Sequence, residues 1–211
     1  MIFEESDGHS GGIQGVAVGK VTDNEDPQDI GRVKVTFPWR ETNDESHWAR
    51  IAMPMAGPGM GTYLLPEIGD EVLVAFAHGN QRFPYVLGSL WNTDQKPPER
   101  NEGTNDVRKI HSRSGHELIF DDAEGDGAVE INSSSGHTIT LDDSTGSEKI
   151  SIEGKSGQNS IEFDATAGTL SVEGGSKLEL KATNIEIKGQ GQVTVEASGV
   201  LKLQGAMIQL N

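Results

Sequence analysis

The second half of the chain alternates apolar and polar positions in short, repeated bursts. Apolar pairs with one residue between them recur at Leu118 and Phe120, Val129 and Ile131, Ile139 and Leu141, Ile150 and Ile152, Ile161 and Phe163, and Leu170 and Val172. The series runs on through Leu178 and Leu180, Ile185 and Ile187, Val193 and Val195, Leu201 and Leu203, and Ile208 and Leu210. A period of two marks a strand with one apolar edge, so the pattern predicts eleven strands. The residue inside each pair is polar in ten of the eleven, with Ile119 the exception, so one face reads as buried and the other as wet. First members of successive pairs lie 11, 10, 11, 11, 9, 8, 7, 8, 8 and 7 residues apart. The echo between SGHELIFDD at 114–122 and SGHTITLDD at 135–143, repeated as SGQNSIEFD from 156, is two of the longer steps.

A strand of about five residues and a short turn leaves only two inward side chains per rung, too few for one chain to build a core. Three chains winding about a common axis gather six inward side chains at each rung and cover one another's strand edges. The pattern therefore predicts an intertwined triple-stranded β-helix, a homotrimer in which each pair is one rung. A single-chain β-solenoid or a β-meander is the alternative. Solenoid rungs usually run to about 20 residues or more, which the tightening repeat disfavours.

Residues 13–92 follow a different grammar. Five segments, IQGVAVGKV, GRVKVTFPW, HWARIAMPM, DEVLVAFAHG and FPYVLGSLW, read as short strands separated by glycine-rich bends, the pattern of an OB-fold barrel. Residues 93–110 hold Pro97 and Pro98 among polar residues and read as a linker. Residues 1–12 read as a polar arm, and 111–211 as the β-helical spike. The fold class is all-β, an OB-fold barrel followed by the triple-stranded β-helix. Composition agrees: 27 glycines, 5% aromatic residues and only 34% hydrophobic residues favour short strands, many turns and burial between chains.

Charge and composition narrow the chemistry. Cysteine is absent, which removes disulfides, thiolate metal sites and thiol nucleophiles. The net charge of -16 opposes binding to nucleic acid or anionic lipid. Residues 13–92 alone carry six Lys and Arg against ten Asp and Glu, so Trp39, Trp48 and Trp91 read as core or partner contacts rather than base-stacking platforms. The N-terminus has no basic and apolar leader, and no run of about 18 apolar residues occurs, so neither a signal peptide nor a membrane anchor is expected.

The ordered blocks GRVKVTFPW, HWARIAMPMAGPGMGTYLLPEIGDEVLVAF and YVLGSLWN, followed by a proline-bearing linker and a β-repeat tail, resemble the central spike of contractile injection machines. That family comprises phage baseplate assembly protein V, phage tail-spike proteins and the valine-glycine repeat proteins of type VI secretion. The resemblance implies a trimer at the front of a tail tube, assembled in the cytoplasm as part of a phage tail or injection particle and driven out on contraction. It also implies hub and tail-tube proteins as partners at the N-terminal end. Only about 12 residues precede the barrel, so the large hub domain of many relatives is either a separate chain or a missing piece of a longer one. The 18-residue linker leaves no room for the lysozyme domain that some phage relatives insert.

Motifs with catalytic or ligand-binding spelling weigh little. GHSGG at 8–12 matches the nucleophile elbow G-x-S-x-G, but Ser10 lacks the strand and helix that such an elbow requires. DDAEGDG at 121–127 opens like a calcium loop, yet Ser133 stands where the bidentate glutamate belongs. His116 and His137 follow turn glycines and form no H-x-H pair, so they read as solvent-facing. No catalytic residue, cofactor site or metal site is assigned.

The expected function is mechanical: a structural spike that centres the baseplate and pierces the target envelope. A β-helical depolymerase of surface glycans and an OB-type protein adaptor are the alternatives. The terminal stretch LKLQGAMIQLN ends on an apolar pair with only Asn211 after it. An apolar rung with open strand edges invites a partner. Met207, Ile208 and Leu210 are therefore expected to form a docking platform, and the family resemblance suggests a PAAR-type tip protein as the occupant.

Overall fold

The computed structural model describes residue 13 and residues 15–41 and 44–209. It is almost entirely β and divides into two compact units between Thr104 and Asn105. Among the described residues, no helix is long and apolar enough to cross a membrane.

The first unit holds β1 (Val16–Asp23), β2 (Lys34–Thr36), β3 (Arg50–Ile51), β4 (Ala56–Gly57), β5 (Met60–Gly61), β6 (Glu71–Phe76) and β7 (Pro84–Leu90). Each of the five segments expected as a strand contributes one of the strands ordered β2-β1-β6-β7-β3. Val33, just before β2, bridges Ala49, just before β3, which brings the first and last strands of that order together and closes the barrel. Inward positions alternate along β6, where Val72, Val74 and Phe76 are buried, and they meet Val21, Val33, Val35, Phe37, Ala49 and Val86. Small β-branched residues dominate because a five-stranded barrel has room only for short side chains on its axis. At Gly19 a Cβ would lie 3.3 Å from the Val35 side chain and from the Thr36 carbonyl, so glycine lets β1 and β2 approach. The short ribbon β4–β5 had no signal in the alternation.

The second unit is a seven-stranded antiparallel meander: β8 (Val107–His111), β9 (Glu117–Asp121), β10 (Ala128–Asn132), β11 (Thr138–Asp142), β12 (Lys149–Glu153), β13 (Ser160–Asp164) and β14 (Thr169–Glu173). Strands β9–β14 carry the first six apolar pairs. Strand β8 lies largely within the stretch read as linker, because Arg108 and Lys109 break the apolar alternation that marks the others. Where strands were expected for the later pairs, 174–209 has none among the described residues, and Leu210 of the last pair lies outside them. A strand is defined by its ladder, and a five-residue extended segment with no neighbour to bond has none.

The turns repeat as faithfully as the strands. In the β8–β9 turn the Gly115 N–H donates to the Ser112 carbonyl and the His116 N–H to Ser112 Oγ, both at 2.9 Å. In the β10–β11 turn Gly136 and His137 do the same to Ser133 at the same distance. Gly115 and Gly136 sit at φ 86° and 90°, where a side chain is strained, which is why the echo keeps glycine there.

Candidate functional site

Register converts the repeated pairs into two continuous apolar rows. One row passes from Ile110 through Leu118, Ile131, Ile139, Ile152 and Ile161 to Val172. The other passes from Phe120 through Val129, Leu141, Ile150 and Phe163 to Leu170. The opposite face carries Lys109, Ile119, Glu130, Thr140, Ser151, Glu162 and Ser171 in one row.

In the single chain the apolar face is the more exposed of the two. Ten of the twelve paired residues on β9–β14 are 36–59% exposed, with only Leu118 and Val129 half-buried. Ser151, on the polar face, is buried at 4%. Among the described residues, every core residue with full burial belongs to the barrel, and none covers the apolar face of the meander. A groove of about 600 Å³ runs along that face past Ile131, Ile139, Ile152, Ile161 and Val172 to Leu178. The later apolar residues, from Leu178 to Ile208, are exposed as well. Monomeric proteins rarely expose contiguous apolar patches beyond a few hundred Å².

The two echoed histidines are exposed and tie successive turns together. The Ser134 N–H donates to His116 Nδ1, and the Lys155 N–H to His137 Nδ1, each at 3.2 Å. A third link has the same place in the repeat, with the Gly175 N–H donating to Asn159 Oδ1 at 2.9 Å. An imidazole accepting at Nδ1 carries its proton on Nε2. These side chains thus lace one edge of the sheet.

Of the three expected docking residues, Met207 is 85% exposed and Ile208 is exposed, while Leu210 lies outside the described residues. Ser10 also lies outside them. In the acidic turn after β9, Asp121 Oδ1 accepts from the Ala123 N–H, and Asp122 pairs with Arg108 at 2.5 Å. Among the described residues, no three His, Asp or Glu side chains converge on a metal-binding geometry. None of the tryptophans is a core residue: Trp39 and Trp91 are exposed, and Trp48 is half-buried beneath Arg32 and Lys34, at 5.6 and 5.1 Å from its ring centroid.

A charged pair in the barrel escaped the periodicity. Asp26 follows β1, and its side chain is 3% exposed. Its carboxylate accepts from the Gln28, Ile30 and Arg32 backbone amides and from Arg32 Nε and Nη2, at 2.6–3.2 Å. The Arg32 guanidinium, with those amides, holds the Asp26 carboxyl far below the usual carboxylate range. Asp-Pro followed closely by Gly-Arg was the available sequence signal.

A closed five-stranded barrel and a β-repeat with an exposed apolar face define a class: an all-β protein with an OB-type barrel. Residues 17–91 match the family described as the Type VI secretion system/phage-baseplate injector OB domain, and the chain carries that domain. It is similar to the type VI secretion system spike protein VgrG3 of Vibrio cholerae, with 32% identity over 105 residues, covering 46% of this chain and 10% of the relative. It resembles the actin cross-linking toxin VgrG1 of Vibrio cholerae at 34% identity, covering 45% of this chain and 10% of that one. It resembles the type VI secretion system spike protein VgrG1a of Pseudomonas aeruginosa at 36%, covering 32% and 11%. The likeness is to the OB domain of these spike proteins, and the matches span about a tenth of the length of these relatives.

Proposed function

We propose that this chain is a structural spike of a contractile injection apparatus, acting as a parallel homotrimer in which three copies bury their apolar rows against one another. The observation that carries this reading is the continuous, uncovered apolar face of β9–β14 together with the exposed apolar pairs after β14. Each aliphatic side chain fully buried contributes about 1.5–3 kcal/mol, so a threefold assembly turns the chain's least favourable surface into its core. The later pairs then find strand partners on neighbouring copies.

The rest of the reading rests on the resemblance of the sequence blocks to the central-spike family. The barrel is the collar, 105–211 forms the shaft, and hub and tube proteins join at the N-terminal end. A PAAR-type tip sits on Met207, Ile208 and Leu210. The assembled particle forms in the cytoplasm, centres the baseplate and pierces the target envelope when the sheath contracts. The chain does this without catalysis of its own.

Light scattering on the purified chain tests the central point. The expected mass is three times 22.6 kDa, in a band that resists denaturing detergent until heated. A stable monomer at 22.6 kDa would sink the proposal.

A further inference from the structure

The loop joining β6 to β7 shapes a cavity of about 690 Å³ in the barrel, and its lining is basic where the chain as a whole is acidic. The loop is closed on itself. The Ala77 N–H donates to the Phe83 carbonyl, the Asn80 N–H to the Ala77 carbonyl and the Phe83 N–H to the Asn80 carbonyl, at 2.9–3.0 Å. His78 and Gly79 sit in the left-handed region at φ 50° and 73°, which makes the bend. His78 and Arg82 from this loop share the lining with Arg40 and His47 from the connection between β2 and β3.

The lining offers donors and few acceptors. Arg40 is positioned by two rings, its guanidinium carbon lying 4.8 and 5.1 Å from the Phe37 and Trp39 centroids. It donates through Nη2 to Gln81 Oε1, and the Arg82 N–H donates to Asn80 Oδ1 at 3.0 Å. Both amide side chains thus spend their oxygens inside the protein and keep NH2 groups to give. Glu45 is the one carboxylate in the described lining, and Lys34 Nζ already pairs with it at 2.9 Å. Among the described residues, no carboxylate pairs with Arg40 or Arg82. Two fixed positive charges therefore share a concave site with no counter-charge of their own.

We infer that the cavity binds a small ligand carrying a diphosphate group, with one guanidinium to each phosphate. Tetrahedral phosphate oxygens take a guanidinium fork and amide donors together, which a single planar carboxylate cannot. The imidazoles of His47 and His78 each add a ring N–H. Cavities of about 300–1,000 Å³ are the size that small ligands use, and this one has room for both phosphate groups. The inference stands apart from the spike reading, because it needs only the barrel.

Isothermal titration calorimetry on the full chain tests it, with inorganic pyrophosphate and ADP as probes and sodium chloride at matched ionic strength as the blank. One pyrophosphate should bind per chain. Arg40→Gln and Arg82→Gln should each weaken it by about tenfold, because each removes a charge-assisted pair. Arg50→Gln, on β3 and outside the lining, should leave binding unchanged. Arg82 is exposed on its loop, so R82Q reads the site without disturbing the fold, and an unchanged melting temperature checks this. ADP binding no tighter than pyrophosphate would support the free diphosphate as the ligand, and tighter ADP binding would support a larger molecule that contains it. No heat with either probe, or binding that either R40Q or R82Q leaves untouched, would overturn the inference. Equal binding of citrate would overturn it too, by making the site a general anion patch.

Discussion

Asp26 shows how a single residue can organise a loop that no hydrophobic pattern describes. It takes five hydrogen bonds from three backbone amides and one guanidinium, and Asp29 in the same loop sits at φ 52°. Because its carboxyl is held below its unfolded value, Asp26 contributes stability that is fully present above the unfolded carboxylate value of about 3.9. That contribution is lost as pH falls from there toward the folded value. Asp26→Asn should lower the melting temperature of the barrel by roughly 10 °C at neutral pH. The gap to the native chain should narrow steadily below about pH 4. Melts recorded across that range check both points, and a gap that stays constant in acid would refute the role given to the carboxylate.

At the scale of the element, the meander separates two questions that alternation alone merges: which residues share a face, and which face is covered. Register places Ile152 between Ile139 and Ile161 on the apolar face, and Ser171 beside Glu162 on the other. Within one chain Ile152 is already exposed, so a carboxylate there would meet water and cost little. In a threefold assembly the same change buries three like charges without partners, at about 3 kcal/mol or more for each. Ile152→Asp should therefore dissociate the assembly in size-exclusion chromatography, while Ser171→Asp should leave it intact. Equal behaviour of the two variants would mean that the apolar face is not the one covered. The turn links from His116, His137 and Asn159 explain the echo locally: each holds a turn to the next one along the same sheet edge.

At the scale of the whole molecule, the chain splits its stabilisation between two modes. The barrel buries its own core, whereas the repeat presents exposed apolar rows, which the proposed assembly would cover. The proposed tip platform depends on the second mode, because Met207 and Ile208 are exposed and, among the described residues, 174–209 has no strand partner. Deleting 206–211 is expected to abolish capture of a PAAR-type tip protein in a pull-down while the trimer survives on the ten upstream pairs. Unchanged capture by the shortened chain would place the platform elsewhere.

By itself the sequence determined the strands that bury one side, because inward residues must alternate whatever the partner. The five barrel strands and the six paired strands β9–β14 were legible for that reason. It also set the turn echo, since glycine at positive φ and serine as acceptor are local requirements. Tertiary structure alone decided the rest. Strand β8 joins the sheet despite Arg108 and Lys109 because its backbone ladder to β9 does not depend on side-chain polarity. Asp26 finds Arg32, and Arg40, His47, His78 and Arg82 meet around one cavity, through closure of the barrel, which brings together residues that no period relates. The doublets announced an apolar face, but the fold of one chain leaves it open, because a sheet of two-residue rungs has nothing of its own to lay against it.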